Sequence, residues 1–308
     1  MASDLPSGTG STWLTLAEAV PLGYALLDSV AQDLGVRALA IKGPVLTQQG
    51  LRDVKESVDV DVLVDPRGFT ALLARMLELG WVDTEPYNLP TVMPRHSATL
   101  RHPIWPCEFD LHHYFPGFLA DPQEVFDVLW EYRDSALIAG RSLPCPAPEG
   151  HVMIAALHYL RDAKQARAHE RLTELASVVR TWPQDRLDLA VKLSVATGAD
   201  STLAQFMRTL GVPTSATLDH PGLAEWRLRS ESITTASLAW WVDIRRATWR
   251  EKPARVKRAL WPNTDEMNRI LRSATPEGPE LRKARRARLK RGLAQVPQAI
   301  REFRRAVR

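Results

Sequence analysis

Cysteine is nearly missing from the chain: 308 residues carry two, Cys107 and Cys145. Two thiols exclude a disulfide framework and cannot furnish a zinc site by themselves, so free thiols in a cytoplasmic protein are expected. No apolar run approaches the length of a membrane span. The N-terminus MASDLPSGTG also lacks the basic-then-apolar order of a secretory signal, so no membrane role is expected. Internal repeats and long low-complexity tracts are absent as well. What remains is ordinary globular material, 45% hydrophobic and 25% charged, with length enough for two domains or one large one. The net charge of +4 conceals an asymmetry. Arg282–Arg308 holds eleven basic residues against one acid, Glu302, so this tail carries +10 and the rest of the chain −6. A solvated basic helix is one reading of the tail, and contact with a polyanion such as nucleic acid is the other. Phe303 is its only aromatic ring, which gives no stacking platform.

The stretch Val58-Asp59-Val60-Asp61-Val62-Leu63-Val64 alternates apolar and acidic residues, the period of a β-strand. Asp59 and Asp61, two apart, point the same way and are near enough to share one cation. Such a pair needs a metal or a basic partner if buried. A solvated face is the alternative, although Asp is a poor strand former. Upstream, residues 12–34 read as a helix with Pro21 as a break or kink, followed by a short strand, Ala38–Ile41, and a Lys42-Gly43-Pro44 turn that opens a short helix. Downstream come a helix from Pro66 to Leu79 and an irregular stretch over 81–96. Two strands follow, Ser97–His102 and Ile104–Tyr114. The second alternates Glu108, Asp110 and His112 with Phe109 and Leu111, a second acidic face. From Asp121 the pattern reads as helices at 122–133, 149–162, 168–181, 185–197, 201–210, 222–248, 253–260 and 279–308. The proline-rich run Leu143–Pro148 reads as a link between a mixed half and an all-helical half.

Three features in order carry chemistry: a Lys-Gly turn after a strand, an Asp-x-Asp strand, and a third acid on a later strand. A glycine turn at a helix N-terminus offers N–H groups and a positive dipole to phosphates. Two strand carboxylates supply the hard oxygen ligands that Mg²⁺ takes. A third can complete a second metal site or accept a proton from an attacking hydroxyl. That is equipment for nucleotidyl transfer, with in-line attack on an α-phosphorus and pyrophosphate leaving.

These residues resemble the nucleotidyltransferase-fold superfamily (polymerase β-like), and more narrowly the bacterial "uncharacterised nucleotidyltransferase" family. The matching patterns are Ile41-Lys42-Gly43, Asp59-Val60-Asp61-Val62-Leu63-Val64 and Asp110-Leu111-His112. They span roughly residues 37–115, with a weaker helical likeness from Leu157-His158 through Arg171-Leu172-Thr173-Glu174-Leu175. The resemblance implies that Asp59, Asp61 and Asp110 hold the metals, Asp110 also helping to activate the acceptor hydroxyl. It implies that Gly43 lets the backbone approach phosphates beside Lys42, and that Mg²⁺ (Mn²⁺ able to substitute) and an NTP co-substrate are required. Two positions depart from the superfamily: Pro44 follows the turn glycine where Ser or Gly is usual, and Lys55 stands at the offset of an Arg, with Arg52 further upstream. Ser57 offers a phosphate hydroxyl, or else is a turn residue before the strand.

Several other residues admit two readings. Glu108 either shares the metal site or forms a salt bridge; His112 orients a carboxylate or phosphate, with His113 a wall residue. His96 reads as a surface histidine, and His151 and His158, two turns apart, as helix-packing or surface residues. Glu174 is an assisting base or the partner of Arg171 or Arg167. Trp226, Trp240, Trp241, Trp249 and Trp261 read as packing residues. The expectation is therefore an α+β chain: a small mixed-sheet nucleotidyltransferase core over 1–145, a helical domain over 146–275 and a basic helical tail over 276–308. It would move an NMP to a hydroxyl or amine of a small-molecule, peptide or protein, or RNA acceptor. A non-catalytic module that binds nucleotide or RNA on the same fold is the alternative.

Overall fold

A computed structural model describes residues 14–84, 90, 94–161, 165–212, 220–227, 230, 236–261, 279, 281–291, 294 and 297. Five strands, β1 (Ala38–Ile41), β2 (Asp59–Val64), β3 (Val82–Asp83), β4 (Ser97–Arg101) and β5 (Glu108–His112), form one sheet in the order β1-β2-β5-β4-β3. β2 and β5 run parallel at its centre and the other neighbours run antiparallel. The sheet has a helical layer on each face, so both sides of β2 are covered: Val60, Val62 and Val64 on one, Asp61 and Leu63 on the other.

The valine face packs on α1 (Leu16–Asp33) and α3 (Phe69–Glu78), with Tyr24, Leu27, Leu72 and Met76 meeting Val60, Val62, Phe109 and Leu111. α1 runs unbroken through Pro21. It comes so close at Gly23 that a Cβ there would lie 2.7 Å from the Phe109 ring. The acidic face is covered instead by α4 (Pro122–Glu131) and α5 (Pro148–Arg161), with α6 (Ala166–Val179) and α7 (Gln184–Ala196) behind them. Leu39, Ile41 and Leu63 belong to the same apolar cluster as Val152, Ile154, Leu157, Leu175 and Leu193. The helical half therefore completes the core of the sheet. Shorter helices α8 (Ala199–Thr202), α9 (Ala204–Thr209), α10 (Pro221–Arg227), α11 (Ala236–Arg246) and α12 (Lys252–Leu260) follow.

The proline-rich run is a strand. β6 (Arg133–Ile138) and β7 (Arg141–Pro146) form a hairpin in the gap between the helices expected at 122–133 and 149–162, where the proline-rich run was expected to be a link. Its turn is Ala139-Gly140, both at positive φ, a two-residue type whose usual Asn-Gly signature is missing here. Leu143, Cys145 and Pro146 are buried with Pro144 half-buried, and in a two-stranded sheet each strand is an edge strand, where proline is tolerated. The hairpin is fastened by α2 (Gly43–Gln48) and the residue after it. The Gln48 side-chain amide exchanges two hydrogen bonds with the Leu137 backbone (2.8 and 3.1 Å), and Gln49 Nε2 donates to Pro146 O at 2.8 Å. Both cysteines are free and buried, with burial pushing their thiols up to about 11 and about 12, so they are inert at neutral pH.

Trp226 and Trp240 are core residues, but Trp249 and Trp261 are 76% and 50% exposed. Their rings rest under the Arg250 and Arg285 guanidiniums at 5.1 and 5.3 Å, so cations hold them at the surface where packing was expected. The basic segment is helical over 281–291, and Arg288 Nη1 donates to Ala259 O at 2.6 Å. Most of the rest of the tail lies outside the described residues.

Tyr24 reaches from α1 to the point where β1 and β2 part. Its hydroxyl donates to Ile41 O at 2.9 Å and accepts the Asp61 N–H at 3.2 Å. Tyr24→Phe should destabilise the chain by about 1–3 kcal/mol in urea unfolding, because it strands a buried donor and a buried acceptor. A loss below ~0.5 kcal/mol would show that the hydroxyl does not tie the strand ends.

Candidate active site

Strand parity and register build the acidic cluster. Parallel pairing sets Asp61 level with Asp110, Asp59 level with Glu108 and Leu63 level with His112. Asp61, Asp110 and His112 present donor atoms that all lie within 4.8 Å of one another. Asp59 is on the same face one step along, half-buried and outside that trio. Glu108, beside it, is ion-paired with Arg101.

Asp61 is the most buried of these carboxylates. Burial opposes its ionisation, but Lys42 and His112 outweigh that and hold it well below the usual range. Lys42 Nζ donates to Asp61 Oδ1 at 2.6 Å and His112 Nε2 lies 3.1 Å from the same oxygen. Burial brings His112 down to about 4, so near neutral pH its ring is uncharged and Nε2 carries the proton given to Asp61. Asp110 is the opposite case: burial and the Asp61 charge push it up to about 6, and among the described residues its buried Oδ1 has no hydrogen-bond partner. Asp59 is also raised, by burial and then by Asp61.

The turn before α2 brings Lys42 to the carboxylates. Lys42 and Gly43 both have positive φ, 55° and 42°, and for lysine that is an unusual conformation worth roughly 1–3 kcal/mol of strain. His151, fully buried on α5, holds it: its Nε2 accepts the Lys42 N–H at 2.7 Å, and Nδ1 lies 2.6 Å from Gln49 Oε1. Burial and Lys42 bring His151 down to about 3, which keeps Nε2 an acceptor. A Cβ on Gly43 would fall 2.8 Å from the Tyr24 hydroxyl and 3.2 Å from Ser57 Oγ, so only glycine fits between these polar groups.

Beside Lys42 opens a cavity of about 220 Å³, lined by Lys42, Arg52, Lys55, His158, Tyr159, Gln165, Arg167 and Arg171 among others. Five cations converge here. Burial, and after it Arg167, Arg171 and Arg52, lower the Lys55 ammonium from its ordinary value. Such a pocket suits a polyanion. Arg52 is positioned by a 2.8 Å bond from Nη2 to Gly43 O. Arg171 also pairs with Glu174 at 3.1 Å.

Of the expected residues, Lys42, Gly43, Ser57, Asp59, Asp61 and Asp110 gather around the strand ends, with Lys55 on the cavity wall. His96, expected at the surface, is half-buried beside the site. Its ring is 5.8 Å from that of His112, and its Nε2 is 3.3 Å from Arg161 Nη1. His113 packs on Phe69 at 4.7 Å. Nothing in the sequence marks His151, His158, Arg167 and Arg171 as site residues. His151 precedes a run of small and apolar residues, and the arginines sit on an amphipathic helix that looks solvated until the fold turns it toward Lys42.

The donor set is hard and oxygen-rich, and a buried carboxylate oxygen lacks a partner. These residues fit a divalent cation.

A family model described as "Uncharacterised nucleotidyltransferase" matches residues 24–209, more than half of the chain. No curated protein matches. Among solved structures, an antigenic nucleotidyltransferase-like protein from Paracoccidioides brasiliensis is 12% identical. That match covers 63% of this chain and 94% of its own, with a TM-score of 0.37. The antibiotic-resistance factor ANT(2'')-Ia is 13% identical over 63% of this chain and 97% of its own, at a TM-score of 0.39. The lincomycin-bound lincosamide antibiotic adenylyltransferase LnuA is 16% identical over 51% and 96%, at 0.34.

The raised Asp110 carboxyl has a consequence for stability in metal-free buffer. Its folded value of about 6 exceeds its ordinary 3.8, so the folded chain binds this proton more tightly than the unfolded chain. The contribution is full below about pH 4 and is lost as pH rises through about 6, up to ~3 kcal/mol. Asp110→Asn should therefore be more stable than the wild type near pH 8, and the gap should close near pH 4 in thermal melts with EDTA. A variant no more stable than wild type at the higher pH would contradict this burial cost.

Proposed function

We propose that this chain, which belongs to the uncharacterised nucleotidyltransferase family, moves a nucleoside monophosphate from an NTP to an acceptor hydroxyl or amine. One observation carries the reading: the acidic cluster and the five-cation cavity adjoin through Lys42, which touches Asp61 and lines the cavity. A triphosphate needs both environments at once. Arg52, Lys55, Arg167 and Arg171 hold the β- and γ-phosphates, and the Lys42-Gly43 turn and Ser57 border the path to the α-phosphate. Asp59, Asp61 and Asp110 hold Mg²⁺, or Mn²⁺ in its place, with His112 fixing the orientation of Asp61. When bound, the cation supplies Lewis-acid stabilisation of the charge that develops on the phosphoryl oxygens.

The residues then divide the work. The cations of the cavity orient the NTP for in-line attack and stabilise the departing pyrophosphate. The acceptor oxygen bonds to the α-phosphorus as the bridge to the β-phosphate breaks. The acceptor's proton passes to Asp110; burial and the Asp61 charge push its carboxyl up to about 6, which supports a base role near neutral pH. Catalysis draws on residues 1–145 for the carboxylates and on the helical part, 146–275, for Arg167 and Arg171. The acceptor is a small molecule, a peptide or protein, or an RNA, and the basic segment Arg282–Arg308 is available for a polyanion. The setting is the cytoplasm; among the described residues no helix is long and apolar enough to cross a membrane.

A second reading has one observation in its favour. Pro44 stands in the first turn of α2 and removes an N–H that phosphate would otherwise find there. A chain that only binds nucleotide or RNA would tolerate that loss.

Incubation with each NTP labelled at the α-phosphate, Mg²⁺ and an extract of the source cell separates the two. Label should appear on a discrete acceptor and fall by about two orders of magnitude or more in Asp59→Asn and Asp61→Asn, with folding retained. Arg167→Ala and Arg171→Ala should raise the KM for NTP by about tenfold each, with smaller changes in kcat. Nucleotide binding with no transfer under any NTP would leave the binding module as the reading.

A further inference from the structure

We propose that Lys42 couples metal binding to polyphosphate binding, because its ammonium and the divalent cation compete for Asp61 and the phosphates draw the ammonium away. The inference rests on the nucleotidyltransferase reading for the identity of both ligands, but it concerns a property of Lys42 that transfer activity alone does not require.

The geometry begins at Asp61 Oδ1. That oxygen already accepts from Lys42 Nζ at 2.6 Å and faces His112 Nε2 at 3.1 Å. Both charged side chains are shielded from solvent, at 12% exposure for Lys42 and 3% for Asp61. A Mg²⁺-sized ion sits about 2.1 Å from its carboxylate oxygen. An ammonium on the same oxygen would then stand a few ångströms from a double positive charge in a poorly screened site. Oδ1 cannot serve both cations at full strength, so a metal that takes this oxygen weakens or displaces the Lys42 contact.

A destination is at hand. Lys42 also lines the cavity of Arg52, Lys55, Arg167 and Arg171. Its backbone stays fixed by the His151 Nε2 bond at 2.7 Å, so the four-carbon stem alone has to swing. Four neighbouring cations repel the ammonium from that side, which favours its place on Asp61. A polyphosphate in the cavity reverses the sign of the field and makes the cavity the better place for Lys42. Each ligand thereby helps the other, beyond any direct contact between metal and phosphate, and by linkage the help is equal in both directions.

Mn²⁺ binding to the full chain, read by calorimetry without nucleotide or turnover, tests this. The probes are Mn²⁺ alone and Mn²⁺ with sulfate, an anion that can load the cavity yet chelates Mn²⁺ weakly, against chloride at equal ionic strength. Lys42→Met keeps the long stem and removes the charge. It should bind Mn²⁺ at least about tenfold tighter than wild type, a gain of ~1.4 kcal/mol. Sulfate should tighten wild-type binding several-fold and leave Lys42→Met unchanged. Equal or weaker Mn²⁺ affinity in Lys42→Met, or a wild-type affinity that sulfate does not move, would overturn the coupling while leaving the nucleotidyltransferase reading intact. The wild-type arm decides the matter if Lys42→Met fails to fold. Mn²⁺ binding that Asp61→Asn does not weaken would overturn both the coupling and the metal site on which the function rests.

Discussion

A carboxylate buried between a sheet and a helical layer must be given positive charge, and Asp61 imposes that requirement on everything around it. Lys42 answers it with an ammonium and His112 with a ring N–H, both on one oxygen. Meeting the demand fixes the chain over long distances. Lys42 reaches Asp61 from a turn in an unfavoured conformation, the turn is held by His151 on α5, and the start of β2 is held by Tyr24 from α1. Helices on both sides of the sheet are thereby tied to one carboxylate.

Around that neutralised centre charge is left in excess. Among the described residues Asp110 has a buried oxygen with no partner, and the neighbouring cavity brings Arg52, Lys55 and Arg167 beside Lys42 and Arg171, which Asp61 and Glu174 pair. Each arrangement costs stability in the isolated chain. Both would become favourable with a metal and a polyanion bound together, as the proposed function requires. The site spends folding stability on preorganisation, and the continuous core shared by the sheet and the helices α4 to α7 absorbs the cost.

Much of this was legible in the sequence, and the limits have physical causes. Alternation identifies β2 and β5 and the parity of Asp59, Asp61 and Asp110, because side-chain direction on a strand follows from position alone. The Lys42-Gly43 turn is legible because Pro44 marks a helix start behind a glycine. Pairing across the fold is not written locally. His151 lies 109 residues from its Lys42 partner, and nothing in its own neighbourhood distinguishes a latch from a packing residue. Arg167 and Arg171 are likewise ordinary on α6 until tertiary contacts aim them at the cavity. The β6–β7 hairpin is not legible because its prolines mimic a linker and its Ala139-Gly140 turn lacks the usual residues. Trp249 and Trp261 were misplaced because large rings are usually buried, while here arginines cover them at the surface.

The proposed function makes the acidic strand face and the cationic cavity two halves of one metal–nucleotide site. The most direct test is a crystal structure with Mn²⁺ and an NTP analogue that resists transfer, the metal located by its anomalous scattering. The expected result is Mn²⁺ on Asp61 and Asp110, phosphates against Arg167 and Arg171, and Lys42 turned from Asp61 toward the phosphates. A nucleotide bound elsewhere, or Mn²⁺ held without either aspartate, would contradict it.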